Sequence, residues 1–151
     1  MWIDKQLIFS EDQAISGSAS DAISSTNVID LGSTDVGEGN PIEIIAYMTT
    51  AATVSKTTTA TSTIQVALLT SSSATFTTGW TTVATGTAQT GSGTTSVGYS
   101  TTGPGSLGFN MRVLPNQLSR YVGLTYTIGA GMEVTAGNIF AALVLGQQNT
   151  P

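Results

Sequence analysis

Histidine and cysteine are both absent from the chain. Without histidine, neither a Ser-His-Asp triad nor a Cys-His pair can form, and without both residue types the usual zinc ligand sets are missing. The lack of cysteine also rules out disulfides, which favours assembly in a reducing cytoplasm over a cross-linked secreted scaffold. These absences remove most routes to catalysis, so we predict that the protein is not an enzyme.

Basic residues are also scarce. There are four of them against nine acidic residues, and the net charge is −5. Because phosphate binding requires a concentrated basic face, no nucleic-acid partner is expected. The longest strongly apolar stretch, Ile139 to Leu145, is too short to cross a bilayer, and Asp4 and Lys5 interrupt the apolar N-terminus. We therefore predict neither a membrane span nor a signal peptide.

The charges are unevenly distributed along the chain. Eight of the nine acidic residues lie between Asp4 and Glu43, and residues 57–111 contain no charge at all. Protein surfaces normally carry roughly a quarter to a third charged residues. Two interpretations remain open: a neutral surface solvated through Ser and Thr hydroxyls, or a surface that another protein chain covers.

Short runs of β-branched and aromatic residues, separated by Gly, Ser, Asn or Pro, dominate the sequence, and no segment of twelve or more residues has helical periodicity. In Arg120 to Ile128, apolar residues alternate with small or hydroxylated ones, as in a half-buried antiparallel strand. Eight strands are predicted in all: Lys5 to Phe9, Asn27 to Leu31, Ile42 to Thr49, Thr63 to Thr70, Thr81 to Thr87, Gly108 to Leu114, Arg120 to Ile128 and Asn138 to Leu145.

Eight short strands in one chain of this length predict an all-β protein, a jelly-roll-like antiparallel β-sandwich or a related one. We expect a single domain over residues 1–151, with Thr/Ser/Gly-rich surface loops within residues 71–105. The segments Ile42 to Met48 and Ile139 to Leu145 are apolar on both faces. They should be central strands, or strands whose second face a partner covers.

Few residues suggest a ligand site. Asp35, Glu38 and Asn40 could supply oxygen ligands to calcium, but an ordinary acidic loop is the favoured interpretation. Two facing carboxylates would suit glycoside hydrolysis, yet the acidic residues more simply serve solubility and capping. The segment from Gly103 to Gly108 matches G-x-G-x-x-G but precedes a strand rather than a helix, so we regard the match as accidental. No metal, cofactor or small-molecule substrate is expected.

Several apolar, aromatic or cationic residues are candidates for a protein interface instead. The N-terminal segment either packs on its own sandwich or reaches a partner. The second face of Ile42 to Met48 is a rival interface. Arg120, beside Tyr121, is either an interface anchor or a structural arginine. The candidate interface residues are Trp2, Ile3, Leu7, Phe9, Ile45, Tyr47, Arg120 and Tyr121.

The tryptophans Trp2 and Trp80 can also be read as sugar-stacking residues, although core or interface packing is the favoured interpretation. An alternative function is therefore a carbohydrate-binding or receptor-recognition module on the virion surface. That alternative predicts an exposed groove lined by Trp80, Tyr99 or Phe109.

Four blocks of sequence, in order, resemble the capsid cement proteins of Bordetella-type short-tailed phages. They are MWIDKQLIFSEDQAIS at the N-terminus, STNVIDLG from Ser25, RYVGLTYTIG from Arg120 and TAGNIFAALVL from Thr135. The middle of the chain, from about Thr50 to Asn110, has no counterpart in the resemblance.

The resemblance implies a jelly-roll-like sandwich, made in the host cytoplasm, that binds the outer surface of a shell of major capsid protein. It would bridge neighbouring capsomers as a homo-oligomer, either a dimer or a trimer. Within the single domain, we expect residues 1–26 to form an N-terminal arm.

Overall fold

The computed structural model describes residues 5–32, 42–56, 62–76, 78–91, 109–129 and 132–145. These residues form ten β-strands and two short 3₁₀ turns, Lys5–Leu7 and Pro115–Gln117, and they contain no α-helix. The all-β prediction is confirmed. The strands are β1 (Ile8–Ala14), β2 (Ala22–Ser24), β3 (Ile29–Asp30), β4 (Ile42–Lys56), β5 (Ser62–Ser71), β6 (Thr81–Thr85), β7 (Gln89–Gly91), β8 (Phe109–Val113), β9 (Tyr121–Ile128) and β10 (Met132–Leu145).

The strands form two antiparallel sheets. The four-stranded sheet has the order β1-β10-β4-β8, and the six-stranded sheet has the order β2-β9-β5-β6, with β3 also paired to β9 and β7 to β5. β2 and β3 share one edge of β9, and β6 and β7 share one edge of β5, so the ten strands occupy eight positions. Numbered along the chain, β2 and β3 together are position 2, and β6 and β7 together are position 5. The strand order is then 1-8-3-6 in the four-stranded sheet and 2-7-4-5 in the other.

This order is the one obtained by rolling up a single long antiparallel ribbon. Position 1 pairs with 8, 2 with 7, 3 with 6 and 4 with 5, and successive pairs alternate between the two sheets. That arrangement is a jelly roll, which places two antiparallel sheets face to face. The predicted jelly-roll-like β-sandwich is therefore confirmed, with two of its eight strand positions divided into shorter pieces.

The strand predictions were accurate where apolar residues alternate and poor elsewhere. The predicted strand from Lys5 to Phe9 is wrong in its first half, because Lys5–Leu7 is a 3₁₀ turn and β1 continues through polar residues to Ala14. The strands β2 and β7 were not predicted, since each is only three residues long and lies at a sheet edge. Such short strands are stabilised by backbone hydrogen bonds to a neighbouring strand, and these leave no pattern in the sequence.

The core lies between the two sheets. Along β4, residues Ile42, Ile44, Ala46 and Met48 are buried while the residues between them are half-buried, as expected for a strand with one face inward. The central positions predicted for Ile42 to Met48 and Ile139 to Leu145 are confirmed, because β4 lies between β10 and β8, and β10 between β1 and β4. Each fully buried aliphatic side chain contributes about 1.5–3 kcal/mol of transfer free energy.

A group of buried and half-buried polar groups joins the two sheets at the β1 edge of the sandwich. The hydroxyls of Ser10 in β1 and Tyr126 in β9 are 2.7 Å apart, and neither residue is exposed. Ser10 donates to Oε1 of Gln13 at 2.6 Å, so the phenol of Tyr126 donates to Ser10. Gln13 in turn donates to the carbonyl of Ser24 at 2.8 Å. We call Ser10, Gln13, Ser24 and Tyr126 the polar seam.

The polar seam satisfies groups that would otherwise be costly to bury. An unpaired buried hydroxyl costs about 1–3 kcal/mol, whereas a paired one is nearly neutral. Burial raises the pKa of Tyr126, and the hydrogen bond with Ser10 lowers it by less. The phenol therefore stays protonated and remains a donor across the physiological pH range.

None of the described residues forms a helix long and apolar enough to span a membrane.

We predict that Ser10→Ala destabilises the fold by about 1–3 kcal/mol, because the phenol of Tyr126 is left buried without its acceptor. Adding Tyr126→Phe to that variant should recover part of the loss, since the unpaired hydroxyl is then removed. Urea unfolding measures both free energies. Tyr47→Phe, a hydroxyl deletion on an outer face, is the matched control and should change the free energy of unfolding by less than about 0.5 kcal/mol. A double variant less stable than Ser10→Ala alone would contradict the polar seam.

Candidate interaction surfaces

The outer surface of the four-stranded sheet carries the apolar second face predicted for β4. Ile45 and Tyr47 point away from the core and are half-buried. On the neighbouring strand, Phe140 pairs in register with Tyr47, and their ring centroids are 5.1 Å apart at an interplanar angle of 34°. Ala142 is the register partner of both Ile45 and Ile8. Three adjacent strands thus place apolar side chains side by side on one outer face.

We call these side chains the outer apolar patch. Ile8 and Ala142 are buried, yet neither belongs to the cluster between the sheets, which is consistent with their place on this face. Each of the other described strands lies within one of the two sheets. The patch consists of Ile8, Ile45, Tyr47, Phe140, Ala142 and Val144.

Polar and charged groups border the outer apolar patch at both ends. At one end Glu43 and Arg112 are register partners on β4 and β8, and Asn110 donates to the Glu43 carboxylate. At the other end the Thr49 hydroxyl donates to the Asp12 carboxylate. That hydrogen bond is the main reason the pKa of Asp12 is lowered. An apolar centre with a polar rim is the usual anatomy of a protein–protein interface.

Arg120 has a partner within its own chain. Its Nε and Nη2 each donate to the Asp30 carboxylate at 2.9 Å, and its guanidinium lies 5.1 Å from the centroid of the Tyr121 ring. The hydrogen bond from Arg120 is the main reason the pKa of Asp30 is lowered. Both side chains of the pair are 43% exposed, and exposed ion pairs contribute only about 0–1 kcal/mol. Of the two roles considered for Arg120, this geometry supports the structural one.

The interface candidates near the N-terminus occupy different environments. Leu7 is half-buried against the core cluster, and Phe9 is completely buried within it, so the Phe9 side chain does not reach the surface. The described part of this segment packs on its own sandwich, because β1 pairs with β10. Trp2 and Ile3 lie outside the described residues.

The acidic loop proposed for calcium also falls outside the described ranges, since Asp35, Glu38 and Asn40 are all in 33–41. Among the residues that the structure does describe, no group of three or more Asp, Glu, His or Cys side chains is close enough to hold a metal ion.

A second surface feature lies on the outer face of the six-stranded sheet. The segment after β5 folds back so that the tip of the Phe76 ring points at Gly123 of β9. A Cβ atom at position 123 would lie 2.1 Å from Cζ of Phe76. Trp80 stacks on Phe76 with ring centroids 4.3 Å apart and an interplanar angle of 8°. We call Phe76 and Trp80 the aromatic pair.

Sequence reasoning singled out Trp80 but missed Phe76 and Gly123. The available signal was the glycine itself, because a glycine within a regular strand often marks the close approach of another group. Of the other residues predicted to share a groove with Trp80, Tyr99 and the side chain of Phe109 lie outside what the structure describes.

Comparison with known proteins identifies the family. The model of the Bbp16 family, a family of Bordetella phage proteins, matches residues 9–144, which is most of the chain. The chain belongs to the Bbp16 family. This membership confirms the predicted relationship to Bordetella phage proteins, while the cement role itself stays a prediction. No curated protein matches the chain.

Two similar solved structures are those of infectious bursal disease virus, Gt strain and Gx strain. The first has a TM-score of 0.43 and 12% identity, and the second has a TM-score of 0.42 and 11% identity. In both cases the match covers 95% of this chain of the Bbp16 family and 32% of the viral chain. This chain therefore spans about a third of the length of those chains.

We predict that Gly123→Ala displaces the aromatic pair, because the added methyl group would overlap the ring of Phe76. Overpacking of this kind typically costs about 1–3 kcal/mol. In a Trp2→Phe background Trp80 is the sole tryptophan, so its emission spectrum reports the displacement directly. Thr125→Ala, two residues along the same face of β9, is the control and should leave the emission unchanged. An unaltered spectrum in Gly123→Ala would refute the contact.

Proposed function

We propose that this member of the Bbp16 family is a structural virion protein that binds the outside of a shell of major capsid protein. There it cements neighbouring capsomers, as a dimer or trimer of identical chains. Membership in a family of Bordetella phage proteins and the jelly-roll fold support a structural virion role. The binding surface we propose is the outer apolar patch, and it is the observation on which the proposal depends.

The patch has the physical properties that binding to a shell requires. Five of its six residues lie on two central strands, β4 and β10, which pair with each other from Ile42 to Lys56, so these side chains are held on a rigid surface. Tyr47 and Phe140 are aromatic, and aromatic residues dominate the energetics of many interfaces because they bury a large area with few rotatable bonds. Little ordering entropy is lost when such a surface binds.

Repetition of the contact explains how a small protein can strengthen a large shell. A specific contact needs roughly 800 Å² from each partner, which is a considerable part of the surface of a 15.4 kDa chain. Once one chain of an oligomer is bound, the others bind at high effective concentration, and avidity exceeds the single-site affinity by about 10²–10⁴. Bridging neighbouring capsomers in this way opposes their separation.

We predict that Tyr47→Ala weakens binding to emptied capsids at least tenfold, because the central ring of the patch is lost. Cosedimentation of the purified protein with capsids measures the affinity. Thr125→Ala on the opposite face is the matched control and should bind like the unmodified protein. Urea unfolding of both variants separates lost binding from lost folding. Undiminished binding by Tyr47→Ala would show that the shell is bound through another surface.

Virions that lack the protein should keep the geometry of their shell but release DNA at a lower temperature than complete virions. Adding back the purified protein should restore the resistance to heat, whereas adding Tyr47→Ala at the same concentration should not. A thermal release assay followed by dye binding to DNA measures this. If particles without the protein were as resistant as complete ones, the reinforcing function would be wrong.

A further inference from the structure

The aromatic pair is unusual because it stands on the outside of the sandwich. Neither Phe76 nor Trp80 belongs to the core cluster between the sheets, and both are only partly buried. They are held against the outer face of the six-stranded sheet at Gly123, where the absence of a side chain makes room for the tip of Phe76. A partly exposed apolar surface is thereby held in place.

The orientation of the Trp80 indole is set by a hydrogen bond as well as by stacking. Its Nε1 donates to the carbonyl of Thr75 at 2.7 Å, at an exposed position. Since the one donor of the side chain is used within the loop, the indole offers its carbon framework to a ligand. Two independent contacts therefore hold the ring before anything binds, which lowers the entropy cost of binding.

The segment that carries the aromatic pair is neutral and rich in hydroxyls, and the charged Arg120, which precedes β9, is paired with Asp30. Ser73, Thr81 and Thr82 are exposed, and no charged residue occurs anywhere from 57 to 111. An ionic ligand would find no counter-charge on this stretch of chain. The matching ligand is a neutral molecule with one apolar face and several hydroxyl groups, which is the description of a pyranose ring.

The size of the aromatic pair also favours a small ligand. Two rings cannot supply the roughly 800 Å² that each partner contributes to a specific protein–protein interface. They can cover one or two sugar rings. The jelly roll is a fold that also occurs in lectins, so a saccharide site is compatible with this architecture, although the fold by itself assigns no function.

We propose that the aromatic pair over Gly123 is a binding site for neutral saccharides, with Trp80 stacked on the apolar face of a sugar ring and neighbouring hydroxyls bonded to the sugar hydroxyls. The side of the virion that this site faces follows from the proposed function, on which this part of the inference rests. The outer faces of the two sheets point in opposite directions, so a chain bound to the shell through the outer apolar patch turns the aromatic pair toward the medium. There it would meet glycans of the host surface.

The test uses the full-length chain and three neutral trisaccharides: cellotriose, maltotriose and triacetylchitotriose. In the Trp2→Phe background, saturable change of Trp80 fluorescence with at least one of them is expected. Saturation-transfer NMR then compares variants with that sugar. Trp80→Ala should weaken binding at least tenfold, and Trp80→Phe, which keeps a ring on Phe76, should weaken it less. Circular dichroism confirms that each variant is folded.

Tyr47→Ala is the matched control, since it removes an aromatic ring from the opposite face. It should bind the sugar as the unmodified chain does while losing affinity for emptied capsids, and Trp80→Ala should show the reverse. Sugar binding without capsid binding would overturn the proposed function and leave this site standing. No binding of any of the three sugars at tens of millimolar, or equal binding by Trp80→Ala and Trp80→Phe, would overturn the saccharide site.

Discussion

The antiparallel pairing of β4 with β10 is the constraint on which the rest of the molecule depends. It runs from Ile42 paired with Leu145 to Lys56 paired with Met132, and it forms the centre of the four-stranded sheet. Because side chains alternate between faces, a slip of one residue would turn every core side chain outward. The pairing also contains an irregularity at Gly137, where φ is +149° and a Cβ atom would lie 2.9 Å from Cα of Ala52. Only glycine tolerates that backbone approach.

This register determines the character of both sides of the sheet. It directs Ile44 and Leu143 into the core and brings Tyr47 beside Phe140 on the outside. The six-stranded sheet presents a different outer face, on which Gly123 leaves space for Phe76. A sandwich built in this way has two chemically distinct surfaces facing opposite directions.

Parts of the interaction surfaces were predictable from local pattern and parts were not. In the segment from Ile42 to Met48, two of the three residues between the core positions are apolar, so Ile45 and Tyr47 could be identified as a second face without a structure. Whether Arg120 anchors a partner or stays within the chain could not be decided, because its partner Asp30 is distant in sequence and reached only through β3 pairing with β9. The stacking of Trp80 on Phe76 could not be predicted from the sequence, because it depends on where Gly123 lies on the folded sheet.

The sequence by itself determined the class of the fold and excluded chemistry that needs a histidine or cysteine of this chain. Alternation of apolar and hydroxylated residues is a local property with a period of two, so it marks strands such as β9 wherever they pair. Tertiary structure alone decided which strands are neighbours and which side chains meet. Ser10 and Tyr126 are separated by 116 positions in the chain, yet they share a hydrogen bond because the rolled ribbon places β1 of one sheet against β9 of the other. Such contacts depend on the free energy of the whole arrangement, which no short window of sequence contains.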